Sequence, residues 1–295
     1  MRSTKDLVSV PGLDDIRTQS INDLMRHDGI RAFVEANHID QSTLNRFWAE
    51  LLDYEEDHRP CASCPGLDDC PKVSKGLSRT LVYDDGAIVL PLTHCRYGEE
   101  QAKKQRALTR VLYNNLSPTI IMNGFSDNAT IKNTRTLSRT TQLTVQKILT
   151  YTYGETGLYI SSDAMDKTEL MGALMNHMAL DGHDVALCHF PTFLIDMKAS
   201  FKSYNDDASL SQLMNAECLM LDGLGEENVT AWSRDEILMT ILSHRALNHL
   251  PLFVTSSYRL SELASVYSLN HGRKDVKAEK TAARISAMCE ELRMG

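Results

Sequence analysis

No run in this 295-residue chain approaches the ~18 uninterrupted apolar residues that a membrane span requires. The opening stretch MRSTKDLVSVPGLDDIR also lacks the apolar segment of a secretory signal. These absences lead us to expect a cytoplasmic protein with no membrane association. Excess positive charge is missing too: 31 basic residues face 39 acidic ones, for a net charge of −8. A surface that adheres to nucleic acid everywhere is thereby excluded, while a local basic stripe is not. No internal repeat is present. What remains, 42% apolar and 24% charged residues, is the mixture of a globular protein with a real core. The length suits two ordinary domains or one large one.

Seven cysteines are present, an odd count, and their distribution matters more than their number. Cys61, Cys64, Cys70 and Cys95 fall within 35 residues, whereas Cys188, Cys218 and Cys289 are scattered. In a chain without an export signal such a cluster points to metal rather than disulfides. The spacing C-x2-C-x5-C-x24-C supplies the four soft thiolates of a tetrahedral zinc ion. Pro65-Gly66 helps the first pair turn back toward the metal, and His58 and His94 flank the cluster as substitutes for one thiolate. With no nucleophile–base pair nearby, the expected site is structural. It would hold together a domain too thin to build a full core.

Along the chain, residues 18–57 read as helices. Leu44, Phe47, Trp48, Leu51 and Leu52 recur at three- and four-residue steps behind a cap at Asp40 or Ser42, and a shorter helix covers Gly29 to Ala36. After the Cys-rich stretch, Asp85-Gly86 joins two extended runs as a hairpin. Residues 99–150 form a basic connector. Its first fifty positions carry eight basic and three acidic residues, net +5, leaving −13 for the rest. It reads either as a solvated linker of two helices or as a track for phosphates. From Gly157 the pattern alternates strand and helix through GLYIS, DVALCHF, ECLMLD and PLFVTSS, closing with a charged helix near Asp275–Arg293. Such alternation predicts a parallel sheet with helices on both faces. The expected domains are therefore 1–98, the connector 99–150, and 151–295.

A phosphate-binding loop is laid out after GLYIS, but its glycines are missing. Its eight positions run from Ser161 to Thr168, ending in Asp166-Lys167-Thr168. Glycines would let backbone N–H groups close on the phosphates, Lys167 would reach them, and Thr168 would meet Mg²⁺. Here Ser161 and Asp166 replace both glycines. A carboxylate ~4 Å from a phosphate costs on the order of 4 kcal/mol at an effective dielectric near 20. Two further features support the layout. ECLMLD ends in Asp222, placed to deliver an acid to Mg²⁺, with Glu226 or Glu227 to orient water. The strand FVTSS ends in Ser257, where a sensor of the γ-phosphate would sit.

On these residues the chain resembles bacterial replicative-helicase loaders of the DnaI type along nearly its whole length. The N-terminal helices, CASCPGLDDC, the hairpin and THC resemble that family's small helical zinc-containing domain, which contacts the helicase. GLYIS–KT, HFPTFLIDMK, LMLDGLGEENVTAWSRDEIL and LPLFVTSSY resemble its AAA+ domain, an α/β P-loop fold whose parallel sheet is flanked by helices. The resemblance implies a hexameric replicative helicase as partner, deposition of that helicase on single-stranded DNA, and contacts with other primosome proteins. It also implies possible self-association, with structural Zn²⁺ at the four cysteines and ATP with Mg²⁺ as ligands. The nucleotide positions it implies are Ser161, Lys167, Thr168, Asp222, Ser257 and Arg284, with Asp222 and Glu226 catalytic.

Departures from the pattern cluster at that nucleotide site. The loop lacks its glycines, the second acid after Asp222 is Gly223, the sensor Asn is Ser257, and Arg284 lacks a second arginine soon after. Binding of ATP is therefore doubtful and hydrolysis more so. Three readings follow: a loader with impaired hydrolysis, a nucleotide-independent helicase adaptor, or a zinc-dependent nucleic-acid binder without a helicase partner. Arg245 and Arg273 are candidates to act on a neighbour's nucleotide, and His183 and His189 read as packing or surface residues.

Overall fold

A computed structural model describes residues 13–164, 166–200, 207–270 and 274–295. Arg273 lies outside them. The chain divides into two compact units, residues 1–102 and 103–295.

The first unit opens with four helices: α1 (Leu13–Leu24), α2 (Asp28–Ala36), α3 (Gln41–Arg46) and α4 (Trp48–His58). Asp40 caps α3 by accepting the Thr43 N–H at 2.8 Å. The apolar stripe expected as one helix is broken at Phe47 (φ −113°, ψ 24°), so Leu44 and Leu51 reach the core from two helices. They join Ile21, Leu24, Ile30 and Ile88 there. Short strands follow: β1 (Leu77–Arg79), β2 (Val82–Asp84), β3 (Ala87–Val89) and β4 (Leu92–His94). Asp85 and Gly86, at φ 45° and 77°, make the β2–β3 turn, in which glycine takes a left-handed conformation without a Cβ penalty. Beyond it β4 returns antiparallel to β1. The division between the units falls within α5 (Arg96–Thr109).

The second unit holds a six-stranded parallel sheet. In chain order its elements are β5 (Val111–Asn114), α6 (Pro118–Met122), α7 (Ala129–Lys132), α8 (Arg139–Leu149), β6 (Gly157–Ser161), α9 (Asp166–Leu180), β7 (Val185–His189), α10 (Phe190–Ser200), α11 (Asp207–Asn215) and β8 (Cys218–Asp222). After β8 the chain makes π-helical turns over Trp232–Leu238. These continue into α12 (Met239–Leu247), followed by β9 (Leu252–Ser256), α13 (Leu263–Val266), α14 (Val276–Met288) and β10 (Cys289–Arg293). The strand order is β10-β6-β9-β8-β7-β5, every pairing parallel. Counted from β6 this is 5-1-4-3-2, with β5 added at the far edge; the parallel sheet matches the alternation of strand and helix read from the sequence, whereas its first-position strand β10 was not expected.

Two apolar layers sandwich this sheet, which is why its strands read as continuous apolar runs rather than alternating ones. Leu158, Ile160, Leu187, Met220 and Phe253 point to one layer with Leu170, Leu174 and Met178 of α9. Tyr159, Cys188, Leu219, Leu221 and Val254 point to the other, with Phe193, Leu242 and Ile285.

Two sequence expectations are corrected. Residues 103–150 are part of the sheet-bearing unit rather than a connector between domains: β5 pairs with β7, α6 packs on α9, and α8 packs on α9 and β10. The closing helix stops at Met288, because Cys289–Arg293 gains a ladder against β6. Pairing at a sheet edge outweighs the helix preference of Glu-Glu-Leu-Arg.

Candidate functional site

The strands of the sheet deliver their C-terminal ends to one rim. Register aligns Ser161 with Ser256 and Arg293, and His189 with Asp222. Ligands of open α/β sheets bind at such a rim. Here β6 turns into α9, placing Lys167 and Thr168 in the helix's first turn.

A cleft of ≈ 340 Å³ is bordered by Lys167, Thr168, Asp222 and Glu226, so the structure brings together four of the expected residues. His189 borders it too. The sequence reading placed His189 in packing or on the surface; its position at the end of β7, level with Asp222, is the signal that reading did not use. A second cleft of ≈ 680 Å³ is bordered by Ser161, Ser162, Asp163, Ser257, Arg259 and Arg293. Arg259 and Arg293 were not singled out in the sequence. Arg293 reaches the rim only because the last residues form a strand.

Most groups that would grip a polyphosphate are engaged within the protein. The Ser162 N–H donates to Ser256 O at 3.0 Å, and the Ala164 N–H to Ser162 Oγ at 3.0 Å. Lys167 is buried and donates to Ala164 O at 3.5 Å. Thr168 Oγ1 and Thr255 Oγ1 both donate to Asp222 Oδ1 at 2.5 Å. Ser257 Oγ donates to Glu226 Oε1 at 2.7 Å, which joins the sensor position to the candidate water-orienting acid. Gly223 (φ 69°) stands where a second acid was expected. A Cβ there would come to 3.2 Å from His189 Nε2 and 3.3 Å from Glu226 Oε2, so the turn is built around the missing side chain.

Four expected residues sit elsewhere. Asp166 was expected to face the phosphates, but it borders neither cleft: Thr130 Oγ1 donates to its Oδ2 at 2.8 Å. The carboxylate is thus tied to α7 through one oxygen, while its Oδ1 is buried without a hydrogen-bond partner. Glu227 is buried, accepting from the Gly225 N–H at 2.7 Å and the Tyr267 hydroxyl at 2.9 Å. Burial pushes its carboxyl above the usual range despite those bonds. Arg284 on α14 donates to the Ser243 hydroxyl and borders a cavity with Gly157, at the opposite end of β6 from the rim. Arg245, a candidate for action on a neighbour, is fully buried and bound to backbone carbonyls.

The Trp232–Glu236 stretch works through Arg234. Its buried guanidinium donates to Asp235 at 2.6 Å, Asp275 at 2.9 Å and Tyr267 O at 2.8 Å, tying the turns after β8 to the start of α14.

In the first unit, Cys61, Cys64, Cys70 and Cys95 all border one cavity of ≈ 530 Å³. All four thiols are free and partly exposed, and Cys95 Sγ accepts the Gly98 N–H at 3.5 Å. Gly98 has to be glycine, since a Cβ there would run into the Gly76 backbone. Among the described residues, no three His, Cys, Asp or Glu side chains stand close enough together to hold a metal ion. The donor set fits a soft divalent cation in type and number and shares a cavity, but it is not drawn in around a centre. His58 is committed elsewhere: Nδ1 pairs with Tyr54 O at 2.9 Å and Nε2 with Ser78 Oγ at 3.2 Å. His94 is exposed and does not border the cavity. Beside it, Asp57 accepts from Lys72, Ser78 and the Arg79 N–H at 2.7–3.0 Å. Burial alone would raise the Asp57 carboxyl, but these bonds outweigh it and hold the group below its ordinary range.

No protein-family model matches the chain. It is 26% identical over 307 residues to the replicative helicase loader DnaI of Bacillus subtilis, covering 99% of this chain and 96% of that protein. A crystal structure of DnaI superposes with a TM-score of 0.53 at 24% identity, over 63% of this chain and 98% of that one. A candidate primosome component from Streptococcus pyogenes superposes with a TM-score of 0.51 at 22% identity, over 66% and 97% of the two chains. The structural likenesses establish the fold of the matched part. Among the described residues no helix is long and apolar enough to cross a membrane.

Proposed function

We propose that this chain is a replicative-helicase loader that acts as an adaptor, binding a hexameric replicative helicase and bringing it to single-stranded DNA without nucleotide hydrolysis. The observation that supports loading is similarity to DnaI from end to end, across both the cysteine-bearing unit and the AAA+ unit. An ATPase that shared only the sheet-bearing half would not account for the first unit.

The loss of hydrolysis rests on the rim. Catalysis needs an acid free to hold Mg²⁺ and a second acid free to orient water. Asp222 Oδ1 accepts two hydroxyls, Glu226 is held by Ser257, and Gly223 supplies no carboxylate. Lys167 keeps the position from which it would reach a phosphate, so weak nucleotide contact would involve Lys167, Thr168 and the Ser162–Ala164 backbone. In this reading the AAA+ fold is a scaffold.

Zinc belongs to the proposal as a structural ion. Cys61, Cys64, Cys70 and Cys95 would hold it, and when bound it would cross-link the α4 end to the start of α5. The chain's own residues position the thiolates: Gly98 donates to Cys95, and Lys72 is anchored on Asp57 beside Cys61. Exposed Lys132, Arg135 and Arg139 supply phosphate contacts for single-stranded DNA.

Size-exclusion chromatography of the full chain with the replicative helicase of its own host tests the loading role. Comigration is expected with Mg-ATP absent, and equally for Lys167→Ala. No complex under any condition would refute it.

A further inference from the structure

At the end of β6 opposite the rim lies a cavity of ≈ 470 Å³. It is bordered by Arg245 and His249 at the end of α12, by Arg284 of α14, and by Tyr153 and Glu155 ahead of β6. None of these residues takes part in the rim or the cysteine cavity.

Arg245 is the unusual member. It is 0% exposed, yet each partner of its two Nη atoms is a backbone carbonyl: Leu213, Met214, Ala216, Glu217 and Pro251, at 2.5–3.4 Å. Its Nε is buried and donates to nothing. Carbonyls supply partial charges at the end of α11 but not a counter-ion, and a buried cation without one carries a desolvation cost. That cost pulls the Arg245 guanidinium down to about 10. Arg284 is the second cation, and its partner is the neutral Ser243 hydroxyl. His249 adds a third basic group, held at φ 54° so that the chain can turn at the cavity's mouth. The one carboxylate on the cavity, Glu155, is already occupied: it accepts from Lys147 at 2.9 Å and from the Thr152 N–H at 3.1 Å. Tyr153, stacked on His183 at 3.9 Å, forms a wall.

We propose that this cavity binds a small tetrahedral oxyanion of the phosphate class, free in solution, between Arg284 and the Arg245–His249 turn. A phosphate oxygen would accept charge-assisted hydrogen bonds from Arg284, and its negative charge would balance the uncompensated Arg245. The site needs no nucleotide and is independent of the phosphate loop.

The test follows thermal unfolding of the full chain titrated with inorganic phosphate, against sodium chloride at matched ionic strength. Arg284→Met is the site variant, chosen because Arg245→Met removes five carbonyl contacts and risks the fold; Lys167→Ala is the control at the rim. Wild type and Lys167→Ala are expected to show a rise of about 3 °C at tenfold excess over Kd, growing with the logarithm of phosphate concentration beyond it. In Arg284→Met the same rise should need at least about ten times more phosphate. The proposal is overturned by a rise no larger than that in chloride, by an unchanged titration in Arg284→Met, or by loss of the rise in Lys167→Ala. The last result would place the ion in the phosphate loop.

Discussion

Titrating Mg-ATP into the zinc-loaded protein puts the adaptor reading at risk, and the structure sets the scale. Nucleotide entering the loop has to displace four internal bonds: Ser162 N–H to Ser256 O, Ala164 N–H to Ser162 Oγ, Lys167 to Ala164 O, and Thr168 to Asp222. At about 1 kcal/mol net for each, the loss is about 4 kcal/mol. A loop that otherwise held Mg-ATP with a Kd near 1 µM, about −8 kcal/mol, would be left near −4 kcal/mol, a Kd of about 1 mM. Calorimetry at micromolar protein would register no saturable heat, from wild type or from Lys167→Ala. Ser162→Gly frees the Ala164 N–H and should tighten binding by no more than about fivefold. A saturable signal with Kd below about 100 µM that Lys167→Ala abolishes would refute the reasoning. It would mean that the internal bonds open at little cost and that the protein is a nucleotide-switched loader.

Cys64→Ser is expected to release zinc, measured by metal analysis, and to abolish comigration with the helicase; a variant that stays folded and bound would end the structural-zinc proposal. Arg234→Met strips a buried guanidinium from Asp275 and Asp235 and should lower unfolding free energy by about 3 kcal/mol in urea, with a change under about 1 kcal/mol contradicting the clamp. Asp275 is held down to about 2, first by the Leu269 N–H, against the burial that opposes it, and then by Arg234. Because its folded value lies below the unfolded one, its stabilisation is complete above about pH 4 and is lost as pH falls toward 2, so Asp275→Asn should flatten the acid limb of stability in that window. Burial raises Glu227, giving the opposite sign: its contribution is present at low pH and lost as pH rises through the raised value, and Glu227→Gln should gain stability at neutral pH relative to pH 4. Reversing Arg135 and Arg139 to Glu should weaken single-stranded DNA binding and reduce the slope of log affinity against log salt, and an unchanged slope would remove these residues from the DNA contact.

Period and punctuation alone made the central part of the fold legible. The four strands read as GLYIS, DVALCHF, ECLMLD and PLFVTSS appear within a residue of their expected ends, because a strand buried on both faces must be apolar throughout. The Asp85-Gly86 turn and the Asp40 cap were equally local, each set by the conformation or hydrogen bond of a few adjacent residues. Lys167, Thr168, Asp222 and Glu226 border one cleft because parallel strands present their C-terminal ends together, whereas Ser161, Ser257 and Arg284, read into the same site, border other cavities.

Tertiary structure decided whatever depended on partners far along the chain. Cys289–Arg293 is a strand only because β6 offers it a ladder, and β5 exists because β7 has a free edge. Residues 103–150, polar and basic, gave no local sign of packing on the sheet; their burial comes through scattered positions such as Ile121, Val145 and Ile148. Asp166 shows the same limit at the site, since its direction is set by Thr130, 36 residues earlier. Composition could place a carboxylate in the loop, but only the packing of α7 on α9 could turn it away from the clefts, because a hydrogen bond between distant segments has no signature in the spacing of either.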